Sequence, residues 1–234
     1  MARRLFFVPE VRNGSAELSG DDAKHLTRVL RVEPGQTYQI SDNHSLYLAE
    51  VSEAHKERVR FRILERQPAQ PPQTEITLCA ALIKFDHFEW MIEKATELGV
   101  SRIVPVEATR SERGLERAAV KRVERWRKIA LESSQQSRRP FLPVVEEPAG
   151  FAEAVRIQAE VRLFADEEGG EPISRAIPPG TGSLAILIGP EGGWTAEERA
   201  LVTEWKRVSL GSHVLRAETA AIAALAVMVN NLLQ

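Results

Sequence analysis

The chain has 234 residues, 43% of them apolar, and 31 basic against 33 acidic side chains for a formal charge of −2. That length suits one large domain plus a small one, and the near-zero net charge by itself argues against a generic binder of polyanions. No segment approaches the roughly twenty apolar residues of a membrane span, and "MARRLFFVPEV" is too short in apolar residues for a secretory signal, so a soluble, cytoplasmic protein with no membrane partner is expected.

Residues 1–66 break into short strand-like pieces, "RLFFVPEV", "QTYQISD", "LYLAEVSEA" and "RVRFRILER", separated by the turn pairs Asn13-Gly14, Pro34-Gly35 and Asp42-Asn43. "SGDDAKHLTRVLRV" reads as one short helix, so a small β-barrel carrying a helix is predicted. "QPAQPPQT" has three prolines and no core residues, as a semi-rigid linker would, which places a boundary between domains 1–70 and 71–234.

The pattern then changes. "ITLCAALI" predicts a buried strand, "HFEWMIEKATELG" a helix ending at Gly99, and "SRIVPVEA" the next strand, which together make a β-α-β unit. "RAAVKRVERWRKIALESS" is amphipathic, with Arg117, Lys121, Arg125 and Lys128 on its outer face. Strands "VRLFAD" and "LAILIG", a helix "AEERALVTEWK", a strand "RVSLG" and a closing helix over 216–232 follow. The alternation predicts an α/β class with a mostly parallel sheet covered by helices on both sides. Trp90, Trp126 and Trp205 sit at helix positions and read as core, whereas Trp194 is a candidate pocket cover.

Charge is sorted along this half. Residues 110–139 hold ten basic and four acidic side chains, and residues 146–171 hold eight acidic and two basic. A protein of this kind can present a basic face without being basic overall. The lone Cys79 has no partner for a disulfide or a CxxC site, and the five histidines show no metal spacing, so no metal is expected.

Two glycine-bearing loops follow predicted strands: "GPEGG" after "LAILI", and "LGSHVLRAET" after "RVS". Ligands of open parallel sheets bind outside the carboxyl ends of strands, so these loops are candidate walls of one pocket. Neither fits G-x-x-x-x-G-K-[ST] or G-x-G-x-x-G, which argues against a nucleoside triphosphate or a dinucleotide. Glycines without a cation let backbone approach a flat, uncharged ligand such as adenosine. The plainer alternative is a turn leading to the helix cap Thr195, with Glu198 in capping-box spacing. Glu218 and Thr219 open a last helix that is apolar nearly all round and must be buried by the core or by a second subunit.

The elbow "LAILIGPEGG" and the run "LGSHVLRAETA", with "FFV" at 6–8, "HLTRVLR" at 25–31, "KATELGV" at 94–100, "SER" at 111–113 and "QSRR" at 136–139, closely resemble the RsmE family of SPOUT methyltransferases. The match spans nearly the whole chain. That family methylates the N3 atom of a uridine in small-subunit ribosomal RNA with S-adenosylmethionine. The resemblance implies a PUA-like β-barrel, a SPOUT domain with a C-terminal trefoil knot, and a homodimer. The sequence departs from the family at Ser212, His213 and Ala217, and at Arg138, where members often carry glycine.

On that resemblance the cofactor would lie against Leu187, Ile188, Gly189, Pro190, Glu191, Gly192 and Gly193 of the elbow. The second loop would add Leu210, Gly211, Leu215, Arg216, Thr219 and Ala220. Arg216 or Arg113 is the candidate stabiliser of negative charge on the uracil oxygens, with Glu191 or Glu218 as candidate proton acceptors. The alternative for the acids is structural: Glu191 orients its loop, and Glu218 favours the helix N-terminus. Ribosomal RNA, free or in the small ribosomal subunit, would meet Arg3, Arg4, His25, Arg28 and Arg31 on the barrel. On the basic strip it would meet Lys84, Arg110, Arg113, Arg138 and Arg139. A different class of function on the same fold is a non-catalytic RNA-binding factor of ribosome assembly.

Overall fold

The computed structural model describes residues 4–232. They divide into two compact units: residues up to Pro71 together with Ser134–Leu142, and Pro72–Ser133 together with the chain from Pro143 onward.

The first unit contains β1 (Leu5–Phe7), β2 (Val11–Arg12), β3 (Ser15–Ser19), β4 (Thr37–Ser41), β5 (Leu46–His55) and β6 (Arg58–Gln67). They pair in the order β1-β4-β5-β6-β3-β2, antiparallel except for β1 with β4. Alternation sorts the side chains: Ala16 and Leu18 of β3 point inward with Val59 and Phe61 of β6, onto one core shared with Phe6, Ile40 and Val51. Register shifts at Leu48/Ala49 and Val51/Glu53 bend the long β5–β6 pair around that core. The expected single helix is α1 (Gly20–Lys24) followed by a π-type turn over His25–Val29. Ser134–Leu142 belong here as well. Ser41 Oγ donates to the Pro140 carbonyl at 2.6 Å, and the Leu142 N–H donates to Asn43 Oδ1 at 2.7 Å.

The second unit runs β7 (Glu75–Ala81), α2 (Phe85–Glu97), β8 (Arg102–Glu107), α3 (Leu115–Ala119), α4 (Val123–Ser137, whose residues from Ser134 fall in the first unit), β9 (Val144–Val145), β10 (Ala149–Gly150) and α5 (Phe151–Ala154). It continues with β11 (Val161–Ala165), β12 (Glu171–Pro172), α6 (Ile173–Ala176), β13 (Ser183–Ile188), α7 (Ala196–Leu201), β14 (Lys206–Ser209) and α8 (Ala217–Leu232). The sheet order is β10-β8-β7-β13-β11-β14-β12, with β9 also on β8, and every pairing is parallel. The continuous apolar run of β13 serves two layers. Leu184, Ile186 and Ile188 join the cluster that holds α2, α4 and α8, while Ala185 and Leu187 join the opposite one with Phe164, Trp194 and Trp205.

Several expectations change in detail. The amphipathic segment expected as one helix is α3, a 3₁₀ turn over Val120–Arg122, and α4. The helix expected over 196–206 stops at Leu201, and the turn after it drops Val202 and Trp205 into the core before β14 begins. Trp126 and Trp205 are core, as expected. Trp90 is not: it lies 47% exposed on α2.

Candidate functional site

β13 ends at Ile188, where Gly189-Pro190 breaks the ladder because proline has no N–H to continue it. The chain reverses over 190–193, with the Gly193 N–H donating to the Pro190 carbonyl at 2.9 Å and Gly193 in the left-handed region at φ 67°. A side chain at Gly189 would collide with the Trp194 ring at 3.0 Å, and one at Gly193 with the Glu167 carboxylate. Thr195 then caps α7 in a complete capping box with Glu198. The buried Glu198 does more than close the box. Its Oε2 accepts from the Thr195 N–H at 2.9 Å and its Oε1 from the Thr109 N–H at 2.8 Å, which ties the loop after β8 to the elbow. Arg110 adds a second tie, donating to the Gly192 carbonyl at 2.8 Å.

The loop after β14 is built differently. Ser209 Oγ accepts from the Gly211 N–H at 3.3 Å and donates to the Gly211 carbonyl at 3.1 Å. Residues 211–214 are exposed, Val214 to 79%. Gly211 sits at φ 135°, and no atom lies within 4 Å of where its side chain would begin.

Because β11 lies between β13 and β14, its own carboxyl end lies between these loops. Elbow, strand end and second loop enclose an open-mouthed cavity of about 770 Å³, including solvent at its mouth. It lies at the place where parallel sheets bind ligands. Ile188, Gly189, Pro190, Glu191, Gly193, Leu210, Gly211, Leu215 and Ala220 line it, all of them expected. Leu187, Gly192, Arg216 and Thr219 do not. Leu187 alternates to the other face of the sheet, and a side chain at Gly192 would point at Arg110. Ala165, Asp166 and Glu167 form a wall that the sequence reading missed, although "VRLFAD" was read as a strand and strand ends are where such walls arise. Trp194 is also a wall, not a cover: it is 1% exposed, and its indole N–H donates to the Ala165 carbonyl at 2.9 Å.

Among the expected catalytic residues only Glu191 reaches the cavity. Arg113 and Arg216 are exposed outside it. Glu218 is buried at 6% exposure; its Oε1 lies 2.9 Å from His87 Nδ1, and its Oε2 is sealed from solvent without a hydrogen-bond partner. That contact joins the first turns of α2 and α8, and Glu218 does not line the cavity.

The charged wall is more constrained than its composition suggests. Burial works against ionisation of Asp166, yet hydrogen bonds from Arg199 and from the Glu168 N–H, with the charges of Arg199 and Arg207, hold its carboxyl below the usual range.

Of the expected RNA contacts, Arg3 lies outside the described residues. Arg4, His25, Arg28 and Arg31 are exposed on the first unit. Arg138 and Arg139 belong to that unit too, so the basic strip of 110–139 is divided between the two. Burial holds the Arg139 guanidinium down to about 10. Arg138 is exposed in the left-handed region at φ 57°, the conformation glycine adopts most easily. Lys84, Arg110 and Arg113 are exposed on the second unit, and Lys84 is not a cavity residue. Arg125 pairs with Glu89 through two bonds of 2.7 and 2.8 Å, so the ordinary structural role holds for that helix position. Among the described residues no group of histidine, cysteine or carboxylates is arranged to hold a metal, and no helix is long and apolar enough to cross a membrane.

Comparison with known proteins agrees with this geometry. The model of an RNA methyltransferase domain matches residues 69–229, and that of an RNA methyltransferase PUA domain matches residues 18–64. The chain is 32% identical over 237 residues to ribosomal RNA small subunit methyltransferase E of Mycobacterium bovis, covering 96% of this chain and 90% of the relative. A crystal structure of ribosomal RNA small subunit methyltransferase E from Neisseria gonorrhoeae bound to S-adenosyl methionine superposes with a TM-score of 0.90 at 28% identity, covering 99% and 98% of the two chains. A Legionella pneumophila methyltransferase in complex with the bound cofactor gives 0.87 at 27% identity and 97% of each. With a parallel sheet carrying a glycine-lined cavity, a separate small β unit, and matches over almost its full length, the chain belongs to the ribosomal RNA small subunit methyltransferase E family.

Proposed function

We propose that the protein transfers a methyl group from S-adenosylmethionine to the N3 atom of a uridine in small-subunit ribosomal RNA. The observation that carries this reading is the cavity itself: three adjacent parallel strand ends, glycine backbone at close approach, and no phosphate-binding lysine. The residues present fit the cofactor. Gly189 lies close against the Trp194 ring, Gly193 holds a left-handed turn, and Gly211 faces open space. The backbone of 188–193 and 210–215 would hold it, and when bound it supplies a methyl group already activated on a sulfonium.

The chain's own residues supply position and charge. RNA must present an unstacked uridine at the cavity mouth. Arg216, which follows the second cavity loop, and Arg113, exposed in the loop after β8, would offset negative charge developing on the uracil oxygens as the N3 proton leaves. Of the two candidate acids, Glu191 is the one that reaches the cavity, and it is the proposed acceptor of that proton. Arg4, His25, Arg28, Arg31, Arg138 and Arg139 of the first unit, with Lys84, Arg110 and Arg113 of the second, would contact phosphate and make binding salt-sensitive. Arg138→Gly should relax a left-handed backbone worth about 1 kcal/mol while weakening RNA binding, readable as a higher melting temperature with a shallower salt slope.

The working form would be a homodimer. α8 leaves Ile222, Ala223, Val227 and Val229 only half-buried, and α2, the helix it packs on, exposes Trp90. Threading of the C-terminal segment as a trefoil knot, and residence in the cytoplasm with the ribosome, belong to the same proposal. The test is mass mapping of ribosomal RNA from cells with and without the protein, paired with calorimetric titration of S-adenosylmethionine. A single uridine losing 14 mass units in the deletion, with cofactor binding by the purified protein, is expected. Unchanged RNA and no cofactor binding would leave the non-catalytic assembly factor.

A further inference from the structure

Beneath the cavity lies a buried ion pair that the proposed chemistry does not use. Arg199, on α7, donates through Nε to Asp166 Oδ2 at 2.9 Å and through Nη2 to Asp166 Oδ1 at 3.0 Å. Its Nη1 donates to the Trp194 carbonyl at 2.7 Å and lies 3.0 Å from Glu168 Oε1. The Asp166 side chain is 0% exposed and that of Arg199 is 13% exposed. Asp166 Oδ1 also accepts from the Glu168 N–H at 3.2 Å, and Arg207 Nε of β14 stands 3.4 Å from Oδ2. Both oxygens of Asp166 are therefore engaged by the protein, and its side chain has no exposed surface to offer a ligand.

What the pair does follows from what it joins. Trp194, the last residue of the elbow, is held to the end of β11 twice: its indole N–H bonds the Ala165 carbonyl, and its own carbonyl is tied through Arg199 to Asp166. Asp166 is in turn tied to β14, its N–H donating to the Val208 carbonyl at 3.1 Å. One guanidinium thus bridges two cavity walls, the elbow and the end of β11, with a planar fork that a lysine could not reproduce. A buried ion pair adds little net stability compared with apolar packing, so stability alone is a weak reason for placing one here.

We infer that Arg199 and Asp166 are positioning residues, a clamp that fixes the width of the cavity and thereby the affinity for the methyl donor. The inference rests on reading the cavity as the S-adenosylmethionine site. The clamp predicts a loss confined to cofactor binding. For Arg199→Lys and Asp166→Asn, the calorimetric Kd for S-adenosylmethionine and its KM should rise roughly tenfold together, with kcat at saturating cofactor within about threefold of wild type. Each single variant leaves a buried group unmatched and can unfold for that reason alone. The paired variant Asp166→Asn/Arg199→Met removes both charges, so its melting temperature should return toward wild type while its cofactor affinity stays weak. A folded paired variant, or a folded Arg199→Lys, that binds cofactor as tightly as wild type would overturn the clamp. Failure is distinguishable by protein: if wild type itself does not bind S-adenosylmethionine, the reading of the site falls and the clamp with it.

Discussion

The two loops that face each other across the cavity are built on opposite plans. The elbow at 189–194 is held by Trp194 to β11, by Arg199 to Asp166, and through Glu198 and Arg110 to the loop after β8. The loop at 210–215 has a single side-chain tie near its start, Ser209 to Gly211, and then leaves its tip in solvent. One wall is tied down from several sides; the other meets mostly solvent.

If that contrast is right, substitutions on the elbow side should cost stability and those on the facing loop should not. Glu198→Ala carries the largest expected effect, because it strands the backbone N–H groups of Thr109 and Thr195 and opens the capping box, leaving α7 only the Thr195 hydroxyl as its cap. A loss of about 3 kcal/mol by chemical denaturation is expected, with cofactor affinity falling as well. Gly193→Ala comes next at about 1 kcal/mol, since it forces alanine into the left-handed region at φ 67° while the Glu167 carboxylate can swing aside. Acid titration sharpens the same point. The Asp166 carboxyl is held below its ordinary value in the folded protein, so its contribution is full above the unfolded pKa of about 3.9 and vanishes as pH falls through the lower folded value. Stability of the wild type should therefore drop more steeply below about pH 4 than that of Asp166→Asn, measured by denaturant midpoints along a pH series. At the small end, Val214→Ser should change stability by less than about 0.5 kcal/mol, because the side chain already sits in water. Equal stability losses on the two sides would break the comparison.

Reading the residues in order recovers one side of this contrast better than the other. The strand at 183–188, the glycine turn and the capping box at Thr195 and Glu198 are local patterns, and each appears where spacing and turn chemistry place it. What no spacing could show is that Glu198 also holds Thr109, some ninety positions earlier, or that Arg199 reaches Asp166. The wall at 165–167 was missed for a related reason: strand order in a sheet is not sequence order, and β11 becomes the middle strand only after β13 and β14 pair around it. Short elements such as β9, β10, β12 and α6 carry too few residues for any period to register. Trp90 failed differently, because a helix stripe tells which residues are apolar but not whether this chain alone covers them.

The proline stretch at 67–74 looks like a place to cut, and the membership of Ser134–Leu142 in the first unit says otherwise. A fragment ending at 70 would part Ser41 and Asn43 from their bonds to Pro140 and Leu142 and would discard Arg138 and Arg139. Any attempt to graft this β module onto another enzyme, in the laboratory or in evolution, would have to transplant two separate stretches of gene.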